Sequence, residues 1–333
     1  MSEIRQDPTT GEWVIIAGDR RKRPSDFIHQ ESRPERPVFV SSCPFCPGNE
    51  NMTPPAVLSY RDENTGAWRL RVIVNKFPAV TPEGSPLEKI SNGYFLSMDG
   101  LGYHEVIIDT PVHNACLALM NESELTDLVR AYRQRYEAMS RIPFVKYIIL
   151  FKNWGIKAGT SLEHPHSQII ATAIIPGHIR VQYDLAANYY SDNGRCLYAD
   201  LMKHELETGA RIVLETDRFL IFHPFASHRP FETWIMPKAS HASFGWISDE
   251  DIQYLAKVLK ITLLKLYHGL NNPDFNLVID SAPVGEENAN IYRWHVRIIP
   301  RITEIAGFEV GSGIFINTAL PEETARFVRD IKV

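Results

Sequence analysis

The residues best suited to chemistry form one short run, His164-Pro165-His166-Ser167-Gln168, approached through Gly159, Ser161 and Glu163. On an extended chain, residues i and i+2 point to the same side, about 7 Å apart. The two imidazoles therefore share a face, and Pro165 between them fixes φ and removes a backbone donor. A stiff pair of imidazoles at the mouth of an apolar strand suits a ligand or a nucleophile, because imidazole titrates near neutrality and forms covalent intermediates. A second run, Cys43-Pro-Phe-Cys46, has the spacing of a metal half-site or a redox pair. A tetrahedral metal site takes four ligands, so Cys43 and Cys46 alone do not complete one.

The elements that must position these residues occur twice. The stretch from His104 and the stretch from Phe231 each read as a short apolar strand, a proline, a histidine, an acidic cap and an amphipathic helix. His113 matches His241 at an offset of 128, and His166 matches His295 at 129. Two matches at nearly one offset indicate two copies of one αβ unit, with a period far too long for a solenoid. In the first copy Leu125, Leu128, Val129, Tyr132, Tyr136 and Met139 fall on one helical face, behind an Asn121/Glu124 capping box. In the second, Ile252, Leu255, Leu259, Leu263 and Leu266 repeat that stripe behind Ser248 and Asp251. Strands are expected over 145–151, 168–175, 275–280 and 294–300, one linking helix between 176 and about 209, and loops over 30–37 and 78–86. The expectation is an α+β fold with mostly antiparallel sheets, divided into domains 1–176 and 177–333.

Composition narrows the function. The 333 residues are 44% hydrophobic and 23% charged, and 35 basic against 40 acidic residues give a net charge of −5. That balance lacks the basic excess of a nucleic-acid binder. No apolar run approaches the roughly 18 residues of a membrane span, and the first residues carry no secretory signal, so a cytoplasmic placement is expected. Four cysteines are too few for a disulfide framework. Cys116 and Cys196, without obvious partners, are expected to be small buried hydrophobes.

His-Pro-His-Ser-Gln, Cys-Pro-Phe-Cys and the duplicated unit together resemble the galactose-1-phosphate uridylyltransferase family of the histidine triad (HIT) superfamily. The opening DPTTGEWVIIAGDRRKRP, VNKFP, FKNWG, PFETWIMPK and AGFEVGSG match that family in kind. The resemblance implies two HIT-like units and a ping-pong reaction in which His166 takes a nucleotidyl group from a nucleoside diphosphate sugar and passes it to a sugar 1-phosphate. It implies that Gln168 binds the transferred phosphate, and that Asn75, Asn153, Gly159 and Ser161 contact phosphate or nucleotide. Arg20 and Arg23 match arginines near the nucleotide phosphates, although their run alone also reads as a solvated basic turn. Cys43, Cys46, His113 and His164 match the ligands of one structural Zn²⁺. Phe308 and Val310 match a loop that reaches the partner's site in a homodimer.

The chain departs from that family in three places. Lys76 follows Asn75 where well-known members carry an acid. Arg293, His295 and Asp280 stand where some members bind a second, iron-type metal, so that metal is not expected. Ser312 and Gly313 replace larger residues, one of them an acid that contacts the hexose. The leading expectation is exchange between UDP-glucose and galactose 1-phosphate. The alternatives are an adenylyltransferase or ADP-sugar phosphorylase, a HIT-type hydrolase and an inactive zinc-stabilised binding module. Gln168, standing where the hydrolases carry a third histidine, favours transfer over hydrolysis.

Overall fold

The computed structural model describes residues 2–333 except 19, 21, 29–32, 34, 88, 92 and 289. Part of the loop expected over 30–37 thus lies outside the described residues. The first half holds β1 (Glu3–Gln6), β2 (Trp13–Ile16), β3 (Ala56–Arg61), β4 (Trp68–Val74), β5 (Lys89–Ser91), β6 (Phe95–Ser97), β7 (Gly102–Ile108), helix α1 (Glu122–Ser140), β8 (Tyr147–Trp154) and β9 (His166–Thr172). Then follow α2 (Gly177–Asn193), α3 (Leu197–Thr208), β10 (Ile212–Glu215), β11 (Phe219–Phe222), β12 (Thr233–Pro237), α4 (Asp249–Leu270), β13 (Phe275–Asp280), β14 (His295–Pro300), α5 (Gly307–Ser312), β15 (Phe315–Asn317) and α6 (Pro321–Asp330).

Ten of these strands form one antiparallel sheet in the order β10-β11-β12-β14-β13-β8-β9-β7-β4-β3. Read inward from either edge, each half presents its first, second, third, fifth and fourth strands. The halves meet where β8 pairs with β13, Lys152 against Leu277 and Asn153 against Asn276. The fold is α+β with mostly antiparallel pairing. The parallel pair of β15 with β2 belongs to a separate three-stranded sheet.

One face of the large sheet packs on α1 and α4, whose apolar stripes lie in a core shared by both halves. Both helices begin where the caps predict. Asn121 Oδ1 accepts from the Glu124 N–H at 2.9 Å, and Ser248 Oγ accepts from the Asp251 N–H at 3.0 Å. The other face is covered differently in the two halves. The Cys43–Cys46 loop packs on Ile73, Val106 and Ile108 in the first. In the second, α2 and α3 place Ala186, Leu197, Tyr198 and Met202 on Leu220, Phe222, Trp234 and Met236. Between these covers Phe151, Asn153, Gln168, Asn276 and Val278 remain half-buried.

Some boundaries differ from expectation. The linking segment is two helices, because Gly194 takes a left-handed φ of 66° and ends α2 before α3 starts. The first-half strands run over 147–154 and 166–172, so the nucleophile candidate lies on β9 itself. The last strand of the sheet begins at His295. The segment read as a C-terminal loop contains the short helix α5, closed by left-handed Gly313 at φ 71°. No helix of the described residues is long and apolar enough to cross a membrane.

Candidate active site and metal centre

His166 opens β9. Its Nδ1 lies 2.8 Å from the His164 carbonyl oxygen. A carbonyl only accepts, so Nδ1 carries the proton and donates, leaving the lone pair on Nε2. Nε2 makes no hydrogen bond among the described residues and is not sealed from solvent. Burial lowers the imidazole pKa against the opposing bond to His164, which keeps the ring neutral near pH 7. The Phe45 ring meets it edge-on at 5.5 Å.

Gln168 projects to the same face. Its Oε1 accepts from His104 Nε2 at 2.8 Å. The tautomer follows from the Ala79 N–H, which donates to His104 Nδ1 at 3.1 Å, so the His104 proton sits on Nε2. The Gln168 amide nitrogen is therefore the end left to donate. Asn153 is held in the same sense, its Oδ1 accepting from Asn276 Nδ2 at 2.8 Å. Asn75 Oδ1 accepts from the Phe77 N–H at 2.9 Å, while its amide nitrogen lies 3.0 and 3.5 Å from the two His104 ring nitrogens. That near-equality places it over the ring face. Gln168 and Asn153 thus have their amide oxygens engaged by the protein and their nitrogens without a partner among the described residues, whereas the Asn75 nitrogen stays against His104. Gly159 takes a left-handed φ of 85°, and a Cβ there would stand 4.0 Å from the Asn153 amide nitrogen. Ser161 is exposed on the bend before His164.

Beneath His166, on the core side of the sheet, lies a polar network that the sequence reading missed. Lys152 Nζ donates to Asp109 Oδ2 at 2.6 Å and to the His166 carbonyl at 3.0 Å, and both ionic side chains are fully buried. Ser167 Oγ donates to Asp109 Oδ1 at 3.0 Å, and Tyr132 Oη lies 2.6 Å from Ser167 Oγ. The signal was present in the strand alternation. Lys152 shares a face with Leu150, and Asp109 with Ile107, so each charge points into the core. His104 was missed in the same way, as a histidine preceding an apolar run.

Cys43, Cys46, His113 and His164 are all buried, and their ligand atoms lie within 4.8 Å of one another. His164 Nε2 donates to the Thr110 carbonyl at 2.8 Å, leaving the Nδ1 lone pair 3.7 Å from Cys46 Sγ. His113 Nδ1 lies 3.5 Å from the same sulfur. Burial lowers the His164 pKa to about 4 and raises the Cys43 thiol. Two sulfurs and two imidazole nitrogens converging in a buried site can hold a metal ion.

The remaining candidates gather elsewhere. Exposed Arg20 and Arg23 follow β2, alongside which the Lys22 N–H donates to the Thr318 carbonyl next to β15. Phe308 and Val310, 48% and 78% exposed, sit on α5 just before β15. This body is fixed to the second half, where the His228 and Phe315 rings stack at 4.5 Å and Asn317 Nδ2 donates to the Ser227 carbonyl.

A family model described as the N-terminal domain of galactose-1-phosphate uridyl transferase matches residues 1–176. The chain belongs to the galactose-1-phosphate uridylyltransferase family. It is an enzyme of this nucleotidyltransferase family, within the HIT superfamily. A second model, described only as a domain of unknown function, matches residues 120–332. The chain is 32% identical to an ADP-glucose phosphorylase of Arabidopsis thaliana, covering 99% of this chain and 93% of that protein. It is 31% identical to a galactose-1-phosphate uridylyltransferase of Thermotoga maritima, covering 100% and 99%. Its fold matches the crystal structure of an Arabidopsis thaliana ADP-glucose phosphorylase with bound ADP-glucose at TM-score 0.85 and 30% identity, covering 100% and 99% of the two chains.

Proposed function

We propose that this enzyme transfers a nucleotidyl group from a nucleoside diphosphate sugar through a covalent intermediate on His166. The observation that carries the reading is the fixed tautomer, with Nδ1–H committed to the His164 carbonyl and Nε2 free. Nε2 attacks the α-phosphorus. The Nε2–P bond forms as the bond to the β-phosphate oxygen breaks, and that electron pair leaves with the sugar 1-phosphate. The ring becomes cationic, and the Nδ1–H···O=C bond stabilises it without a proton transfer. Gln168 and Asn153 donate amide N–H groups to phosphate oxygens or nucleotide, supported by Gly159, Ser161 and Asn75. An oxygen of the acceptor phosphate then attacks phosphorus and the N–P bond breaks, regenerating neutral His166.

For the donor we propose ADP-glucose, with inorganic phosphate as acceptor, giving ADP and glucose 1-phosphate. The full-length similarity to the plant phosphorylase supports this reading, as do the small Ser312 and Gly313 where a hexose contact is expected. Exchange between UDP-glucose and galactose 1-phosphate is the second reading, supported by the Thermotoga maritima relative. Zn²⁺ is the metal suited to the Cys43/Cys46/His113/His164 set, and when bound it supplies a structural anchor for the edge that presents His166. Arg20, Arg23, Phe308 and Val310 share one body on the second half and serve the site of a partner in a cytoplasmic homodimer. The two halves derive from one duplicated unit, with a boundary near residue 176.

The test is to incubate the chain separately with ADP-glucose and UDP-glucose carrying ³²P at the α-phosphate, and to measure acid-labile label on the protein. Label from ADP-glucose that is lost in His166→Ala is expected. Label from UDP-glucose alone selects the second reading. Label from neither donor, on metal-replete protein, refutes nucleotidyl transfer.

A further inference from the structure

The strand that carries His166 is held unlike its counterpart in the second half. The β8–β9 ladder ends at Phe151 against Gln168, so β8 does not register against His166. The corresponding β13–β14 ladder runs two residues further, through Ile279 against Val296 to Asp280 against His295. Beyond Phe151 β8 runs on to Trp154 without registering against β9, and on its other edge His166 stays paired with Ile108 of β7. The His166 carbonyl is met there by Lys152 Nζ at 3.0 Å, and Lys152 is itself fixed by Asp109 at 2.6 Å.

Resting on the nucleotidyl-transfer reading above, we propose that the Lys152–Asp109 pair is a positioning device for His166. Its ammonium holds the His166 carbonyl on the edge where β8 no longer registers against β9. Ser167 and Tyr132 complete it by engaging Asp109 Oδ1. Three observations converge. First, the pair is fully buried on both sides, and a buried ion pair is a poor way to gain stability, since apolar replacements of both partners are commonly neutral or better. Second, the second half makes that replacement: the positions of Lys152, Asp109 and Ser167 are taken there by Ile279, Pro237 and Val296. Third, the polar network occurs under the histidine whose Nε2 is free and whose ladder pairing is with β7 alone, while apolar residues lie under the one paired with the central strand β13. Lys152 and Asp109 are positioning residues, acting through the His166 backbone and touching no substrate.

The experiment uses the full chain with Lys152→Met and Asp109→Leu made together, so that no unpaired charge is left buried. The expected result is a maximal rate of label transfer from ADP-glucose lowered about 100-fold, the scale of a misplaced reacting group. The donor concentration for half-maximal rate should move less than about threefold, and the thermal midpoint and metal content should be retained. A maximal rate equal to that of the unsubstituted chain overturns the proposal, as does a loss of rate that only tracks a loss of stability. If the double variant does not fold, Ser167→Ala keeps the ion pair but frees Asp109 Oδ1. It should lower the maximal rate several-fold at an unchanged midpoint, and an unchanged rate overturns the proposal. Absence of label on the unsubstituted chain with either donor removes the functional reading and this inference together. Label there with an undiminished variant rate removes this inference alone.

Discussion

His166 and His295 occupy matching places in the two halves, and each points Nδ1 at the carbonyl two residues back, at 2.8 and 3.2 Å. What surrounds them differs. Beside His166 stand Gln168 and Asn153, neutral amides with nitrogens to spare. At the matching positions beside His295 stand Arg297 and Asp280, which satisfy each other through two hydrogen bonds of 2.6 and 3.0 Å. Burial works against the Asp280 charge, yet Arg297 holds that carboxyl below its usual range. The His295 ring is stacked under Trp234 at 4.3 Å, within the cluster that α2 and α3 cover. On the proposed reading, a correctly bonded imidazole is not enough for chemistry. The site also needs donors whose partners are absent until a ligand arrives, and a face left uncovered to admit it.

The sharpest break of this comparison is functional. His166→Ala should abolish covalent labelling, whereas His295→Ala should leave its rate unchanged within about twofold, because its surroundings offer a phosphate no free donor. Equal loss in both variants, at equal stability, would mean the second half participates in chemistry. The next break is the metal. The first half closes its open face with the Cys43–Cys46 loop, where the second uses helices. Chelation or Cys43→Ser should release the bound metal and lower the thermal midpoint by about 5 °C or more, as losing a structural ion from a chain of this size implies. Metal analysis alongside thermal unfolding checks this, and an unchanged midpoint after complete metal loss would show that the loop stands without it.

Much of this was legible in the sequence. Period and caps identified α1 and α4, because their apolar faces are regular and their first turns carry Asn121/Glu124 and Ser248/Asp251. Of the metal group, Cys43 and Cys46 were legible from their spacing, whereas His113 and His164 joined them only through the family resemblance, because the fold and not the chain order brings the four together. The continuous ten-stranded sheet was not, because the β8–β13 contact that makes it depends on register and leaves no local mark. Lys152, Asp109 and His104 were missed because each lies in an apolar strand or directly after one, and only the pairing of strands shows that their polar atoms meet.

A subtler effect is expected under acid. His223, on the second half, is fully buried, with Nδ1 on Thr324 Oγ at 2.7 Å and Nε2 without a partner. Burial pulls its pKa to about 3, against about 6.5 in an unfolded chain. The unfolded state therefore binds the extra proton between those values. Stability should fall as pH drops from about 6.5 toward 3, by up to about 1.4 kcal/mol per unit from this group, with no contribution to the slope above that window. His223→Gln cannot take up that proton. In urea unfolding, its stability relative to the unsubstituted chain should improve steadily from pH 7 to pH 5. A constant difference across that range would place the acid sensitivity elsewhere.

The smallest expected effects concern the part of the two units that still agrees. Asn121→Ala and Ser248→Ala each remove the side-chain acceptor of a helix N-terminus, at about 1 kcal/mol apiece. The caps are not identical. Glu124 returns a bond to the Asn121 N–H at 2.8 Å, completing the box, whereas Asp251 is spent on Arg218 and on the Ser248 hydroxyl, both at 2.7 Å. Asn121→Ala should therefore cost slightly more, and Glu124→Ala should weaken α1 through the orphaned Asn121 N–H. Asp251→Ala should act instead by leaving Arg218 with Glu250 as its remaining acidic partner, and its cost should shrink with added salt. Near-equal cap losses alongside the contrast between His166 and His295 would place the divergence of the halves in what covers and surrounds each histidine, not in the helices that support them.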